Sequence, residues 1–121
     1  MSSQPHILIV EDDFLVALDL EAIAADEKGA KVTVCSSVAE AERLISQENF
    51  DLAMLDIDVL DGKTFGLAAH LLELRVPFVF LSGSLFEDVP DDLRIVTFLR
   101  KPCPAQVIRQ TIHSMASGQK Y

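Results

Sequence analysis

The chain has 121 residues, half of them apolar, which suits one domain of roughly 100–200 residues with a core large enough to fold without disulfides. Ten Lys plus Arg against 19 Asp plus Glu give a net charge of −9. That balance argues against duplex DNA or an anionic membrane surface as partner, because both call for clustered cations, and the apolar content excludes disorder.

In chain order, Ile7–Val10 is a short apolar run that stops abruptly at Glu11, Asp12 and Asp13. Phe14 to Lys28 reads as a helix, with Phe14, Leu18, Ala22 and Ala25 at helical spacing and Gly29 at the place of a C-terminal cap. Lys31 to Cys35 is a second strand. Ser37 caps a helix through about Gln47, with Glu40 completing a capping box. Leu52 to Leu55 is a third strand, ending at Asp56. Thr64 to Glu73 is helical. Pro77 opens a fourth strand, Phe78 to Leu81, ending at Ser82. Leu85 to Arg94 contains Pro90 and four acids and reads as a short or irregular helix. Ile95 to Leu99 is a fifth strand. Pro104 starts a last helix with Val107, Ile108, Ile112 and Met115 on one face, and Ser114 to Tyr121 is a fraying tail.

Strands apolar at every position are buried on both faces, as in a parallel sheet covered by helices. Alternating strands and helices predict an α/β doubly wound fold of five strands and five helices, the fourth helix short or irregular. Two cysteines, Cys35 and Cys103, are too few for a disulfide scaffold. Met1 to His6 does not read as a signal peptide, and no stretch approaches the ~20 apolar residues of a membrane span. A reducing cytoplasm is the expected compartment. His6, His70 and His113 show no metal-ligand spacing.

The polar residues that break the pattern fall at strand ends: Glu11, Asp12 and Asp13 after the first, Asp56 with Asp58 and Asp61 after the third, Ser82 at the fourth, Lys101 after the fifth. Ligands bind outside the carboxyl ends of parallel strands. If the first and third strands are neighbours, Glu11, Asp12 and Asp56 converge. Each acid taken singly is also an ordinary helix cap. Together they make an oxygen-only pocket suited to Mg2+, beside which a carboxylate can act as nucleophile on a phosphoryl group. The metal, a lysine and a hydroxyl then neutralise the transferred oxygens.

These motifs, Ile7–Asp13, Leu52–Asp56, Asp61-Gly62, Ser82-Gly83 and Lys101-Pro102, resemble the receiver domain of two-component response regulators from about Pro5 to Ala116. The resemblance implies a single receiver domain over residues 1–121. It also implies a flavodoxin-like sheet of order 2-1-3-4-5. Asp56 would be the phosphoacceptor. Glu11 and Asp12 would form the acidic pair, with Asp12 the direct Mg2+ ligand, Asp13 outside the ligand set and the backbone carbonyl of Asp58 completing the site. Ser82 and Lys101 would bind phosphoryl oxygens, and the Lys101–Pro102 bond would be cis. Ser82 and Phe98 would form the switch pair.

The implied partners are a sensor histidine kinase or phosphotransfer protein and a downstream protein target, with no nucleic acid and no membrane. The implied state is a monomer or weak dimer. The module would be no metabolic enzyme, catalysing only its own phosphorylation and dephosphorylation. Its output would be a protein–protein contact or the draining of phosphoryl groups from a relay.

Three departures stand out. Asp56 to Gly62 spans six positions, about two fewer than the family's loop, and lacks its proline. The segment between Ser82 and Phe98 is short. Pro77–Ser84 is similar to the Pro-Phe-x-Phe-Ala-Thr-Gly-Tyr segment of stand-alone alphaproteobacterial receivers that pair with HWE-type kinases, with Leu81, Ser82 and Ser84 replacing Ala, Thr and Tyr. Two other readings compete. Asp56–Asp61 also looks like the Asp-x-Asp signature of haloacid-dehalogenase-type phosphohydrolases, but there the metal-binding acids follow the lysine, whereas here Glu11 and Asp12 come first. A pseudo-receiver scaffold would have no need of five polar pocket groups.

Overall fold

A sheet covered on both sides needs apolar residues on both faces of every central strand, and the five apolar runs build one. The computed structural model describes residues 4–83, 86–94 and 96–118. In chain order the elements are β1 (His6–Val10), α1 (Phe14–Ala25), β2 (Lys31–Cys35), α2 (Val38–Gln47), β3 (Leu52–Leu55), β4 (Asp58–Val59), β5 (Gly62–Lys63), α3 (Phe65–Glu73), β6 (Phe78–Ser82), β7 (Phe98–Arg100) and α4 (Ala105–Ala116). Five strands pair in the order β2-β1-β3-β6-β7, all parallel. This is the expected 2-1-3-4-5 order. β4 and β5 form a separate two-stranded hairpin.

Alternation along the strands divides the core. Leu8, Val10, Ala53, Leu55 and Phe80 pack with α2 and α3 through Ala41, Leu44, Leu67 and Leu71. Ile7, Ile9, Leu52, Met54 and Val79 pack on the opposite side with α1 and α4 through Leu20, Ala24, Ile108 and Ile112. No helix among the described residues is long and apolar enough to cross a membrane.

The expected irregular fourth helix is a pair of 3-10 turns, Phe86–Asp88 and Asp91–Leu93. Val89 and Leu93 are buried in the core, and Arg94 donates to the carbonyls of Val89 and Glu87 at 2.8 and 2.7 Å. Pro90 lacks an N–H and could not continue an α-helical ladder here. Leu85, the expected start of this segment, and Ile95, the expected start of the fifth strand, lie outside the described residues, as do Ser84 and the last three residues of the expected tail; the fifth strand of the sheet is Phe98–Arg100, and the tail residues 114–116 are helical.

Other expectations shift. α1 ends at Ala25, and Gly29, with φ 75°, sits in the turn to β2. Its buried stripe is Ala17, Leu20 and Ala24, whereas Phe14, Leu18, Ala22 and Ala25 are exposed. The helix is apolar nearly all round, so two stripes satisfy the helical period, and packing selects the one over Ile7 and Ile9. In α4, Ile108, Ile112 and Met115 are buried and Val107 is exposed. The capping box at α2 is offset: Ser37 Oγ accepts from the Glu40 N–H, while the Glu40 carboxylate accepts from Ser36 rather than Ser37.

Candidate functional site

Strand register positions the site. Val10 pairs with Leu55 and Ser82 with Arg100, and the residues that follow stay tied to the sheet. Glu11 N–H donates to the Cys35 carbonyl at 2.9 Å, Asp56 N–H to Val10 at 2.9 Å, and Lys101 N–H to Ser82 at 3.0 Å. The last rungs of the ladders therefore set Glu11, Asp56, Ser82 and Lys101 along the carboxyl edge of the sheet.

Side chains close the cluster. Carboxylate oxygens of Glu11, Asp12 and Asp56 lie within 4.8 Å of one another. The Lys101 ammonium donates to Glu11 Oε1 at 2.5 Å and to Asp56 Oδ2 at 3.1 Å. Glu11 is only 2% exposed, Asp56 is half-buried and Asp12 is open to solvent. Burial raises the Glu11 carboxyl above the ordinary glutamate range; Lys101 and the Asp13 N–H oppose this, and the charge of Asp56 adds to it. Burial alone would lower the Lys101 ammonium, but the hydrogen bond to Glu11 and the charge of Asp56 outweigh it and hold it above the ordinary lysine value. Three carboxylates against one ammonium leave two negative charges uncompensated. The donor set is all oxygen and reaches from a buried acid to an exposed one, which fits a hard divalent cation that keeps water ligands.

The acidic run after β1 divides its work. Asp13 is the N-cap of α1, accepting the N–H groups of Leu15 and Val16 at 3.0 and 3.1 Å, while Glu11 and Asp12 turn to the cluster. Helix capping and cluster formation, both open to an acid at a strand end, thus fall on different residues. Asp58 stands on β4, its side chain paired with Lys63 across the hairpin and outside the carboxylate cluster. Ser82 is buried at the end of β6. Phe98, on β7, is half-buried with its ring 6.4 Å from that of Phe80. The Lys101–Pro102 peptide bond is cis.

Thr64, read from sequence as the start of a helix, has a further part. It is fully buried, its hydroxyl donates to the Asp56 carbonyl at 2.7 Å, and its N–H donates to the Ile57 carbonyl at 2.9 Å. It secures the backbone of Asp56 from behind. A threonine just ahead of an apolar helix was the available signal, but capping chemistry reads the same way.

The remaining reactive side chains lie elsewhere. Burial pushes the Cys35 thiol up to about 12 and also raises Cys103, so neither has thiolate character. His6 lies against the Asn49 carbonyl and the Thr33 hydroxyl, His70 against Glu42 and His113 against Glu27.

No protein-family model matches the chain, and no curated protein does. Solved structures do. The non-phosphorylated HemR receiver domain from Leptospira biflexa is 27% identical, with a TM-score of 0.81 over 97% of this chain and 98% of that one. A CheY-like response regulator receiver domain from Methanospirillum hungatei JF-1 is 23% identical, with a TM-score of 0.81 over 97% of each chain. Response regulator TrrA from Thermotoga maritima, solved in complex with Mg2+–BeF, is 16% identical, with a TM-score of 0.79 over 92% of this chain and 98% of that one.

Proposed function

We propose that this chain, which carries the CheY-like receiver fold of response regulators over nearly its whole length, is a phosphorylation-controlled signalling module that takes a phosphoryl group onto Asp56. The donor is a phosphohistidine of a partner kinase or phosphotransfer protein. An oxygen of the Asp56 carboxylate attacks the phosphorus. As that bond forms, the phosphorus–nitrogen bond breaks, and the leaving imidazole keeps the electron pair and takes up a proton.

The observation that carries this reading is the reach of Lys101, which bonds Glu11 and Asp56 together inside a carboxylate cluster at the sheet edge. Bonded to one oxygen of Asp56, the ammonium orients the carboxylate and supplies a positive charge where the phosphoryl oxygens arrive. Ser82, buried at the end of β6, offers a hydroxyl to the same oxygens. Mg2+ held by Asp12, Asp56, the Asp58 carbonyl and, less directly, Glu11 would neutralise charge on the transferred group. Glu11 tunes the pocket: buried and beside Asp56, it keeps Lys101 charged and drawn inward.

The new phosphate adds up to two negative charges beside Ser82 and the β7 edge. Phe98 on that edge is the residue whose ring would change place, giving partners a different surface in the two states. The resemblance of the Pro77–Ser84 sequence to receivers that pair with HWE-type kinases is the ground for proposing such a kinase as the donor, a reading tested by comparing transfer from kinases of that type with transfer from others.

The direct test is intact-mass measurement after incubation with acetyl phosphate, with and without Mg2+, beside Asp56→Ala. One phosphoryl adduct that needs Mg2+ and is missing from Asp56→Ala is the expected outcome. An adduct that persists in Asp56→Ala overturns the assignment. No adduct, together with no Mg2+ binding, makes the chain an unphosphorylated scaffold.

A further inference from the structure

The segment after Asp56 is about two positions shorter than in the receivers the sequence resembles and has no proline to stiffen it, yet under the proposed function it must hold the Asp58 backbone in place. Residues 57–64 are held instead by tertiary contacts. Ile57 and Val59 are buried in the core. Val59 pairs with Gly62 and Asp58 with Lys63, and Gly62 has φ 130°, a conformation that L side chains rarely adopt. The tip of this hairpin, Leu60-Asp61, lies on the start of α2: the Leu60 N–H reaches the Ser36 carbonyl at 3.4 Å. Asp61 Oδ1 accepts the Val38 N–H at 2.7 Å, and Oδ2 accepts the Ala39 N–H at 3.0 Å.

Those two N–H groups are among the four that a helix start leaves without intrahelical partners. Ser37 takes the third, from Glu40, at 3.1 Å. The cap of α2 is thus shared between a neighbouring serine and an aspartate 22 and 23 positions away. A carboxylate is favoured there by the helix dipole as well as by the bonds, and the two N–H groups hold Asp61 below the ordinary aspartate range. Ser37 would serve the helix alone. Asp61 also fixes the hairpin.

We propose that Asp61 is a positioning residue: its carboxylate clamps the segment that follows Asp56 onto the first turn of α2 and so holds the Asp58 carbonyl ready for Mg2+. The Mg2+ part rests on the function proposed above; the clamp does not.

Asp61→Ala, Asp61→Asn and Ser37→Ala separate these roles. Hydrogen exchange in Mg2+-free buffer reads the clamp, and calorimetric titration with Mg2+ reads the site, since the chain has no tryptophan to report binding. Asp61→Ala should speed exchange at the Leu60 and Thr64 amides about tenfold and weaken Mg2+ binding about tenfold. Asp61→Asn, which keeps one acceptor oxygen, should fall between it and the wild type. Ser37→Ala, which loosens the same helix without touching the hairpin, should leave Mg2+ affinity unchanged.

Unchanged exchange at Leu60 and Thr64 in Asp61→Ala overturns the clamp. Faster exchange with unchanged Mg2+ affinity overturns the positioning role, as does a loss of affinity in Ser37→Ala equal to that in Asp61→Ala. If the wild-type chain binds no Mg2+, the proposed metal site fails and with it the positioning role, while the exchange result still decides the clamp.

Discussion

Glu11 is an acid buried at a cost. Its carboxyl sits above the ordinary glutamate range because burial outweighs the help of Lys101, so the folded state binds this proton more tightly than the unfolded chain does. Such a group favours folding below its ordinary value, and that contribution is lost as pH rises through the folded value. Without Mg2+, Glu11→Gln should therefore melt higher than wild type at about pH 8, and the gap should shrink as pH falls toward about 4.5. Thermal melts across that range check it. An isosteric amide that destabilises at high pH would mean that the Lys101 pair, and not burial, dominates. Lys101 responds in the opposite window: its raised value contributes stability that is lost only as pH climbs through it in the alkaline range.

At the scale of elements, two features carry predictions. Beyond α3 and its C-cap Leu74, Arg75 adopts φ 60°, and the Val76 N–H reaches back to the Leu71 carbonyl at 2.9 Å, a closure that glycine makes without Cβ strain. Arg75→Gly should raise stability by about 0.5–1 kcal/mol, net of glycine's greater entropy loss on folding, seen as a higher denaturant midpoint. On α1, Phe14 and Leu15 are 72% and 71% exposed and Leu18 is 46% exposed. They form an apolar outer stripe that begins beside Asp12. If Asp56 is the phosphoacceptor as proposed, its donor approaches across this end of the molecule, and Leu18→Glu should slow transfer from a partner kinase about tenfold or more. It should leave phosphorylation by acetyl phosphate unchanged.

The same helix marks a limit of sequence reading. Both of its stripes are apolar, so periodicity does not say which one faces Ile7 and Ile9, and the spacing of Phe14, Leu18, Ala22 and Ala25 points to the stripe that is exposed. The β4–β5 hairpin escaped for another reason: two-residue strands carry no period at all. The strand ends were legible because each apolar run stops at a polar residue: Glu11 after β1, Asp56 after β3, Ser82 at the end of β6 and Lys101 after β7.

At the scale of the whole molecule, the parallel sheet converts sequence-distant positions into neighbours. Glu11 and Lys101 are ninety residues apart and hydrogen-bonded: the strand order sets both on the same sheet edge, and the lysine side chain reaches back across β6 and β3 to meet the acid. What the order could not convey was the backbone support: the Thr64 hydroxyl on the Asp56 carbonyl and the Asp61 carboxylate on α2 are side-chain-to-main-chain bonds with no spacing rule. A cation that binds only the assembled site should stabilise the fold. Mg2+ at ten times its Kd should add about 1.4 kcal/mol, and Asp12→Asn should abolish the gain in a thermal melt.

Everything proposed for this site turns on Asp56 carrying the phosphoryl group. The most direct test is to phosphorylate the chain with acetyl phosphate and Mg2+, reduce the acyl phosphate with borohydride, and map the product by peptide mass spectrometry. Reduction of an aspartyl phosphate leaves homoserine, which is expected at position 56 alone, and only when Mg2+ was present. Reduction product at Glu11, Asp12 or any other carboxylate, with Asp56 intact, would contradict this assignment.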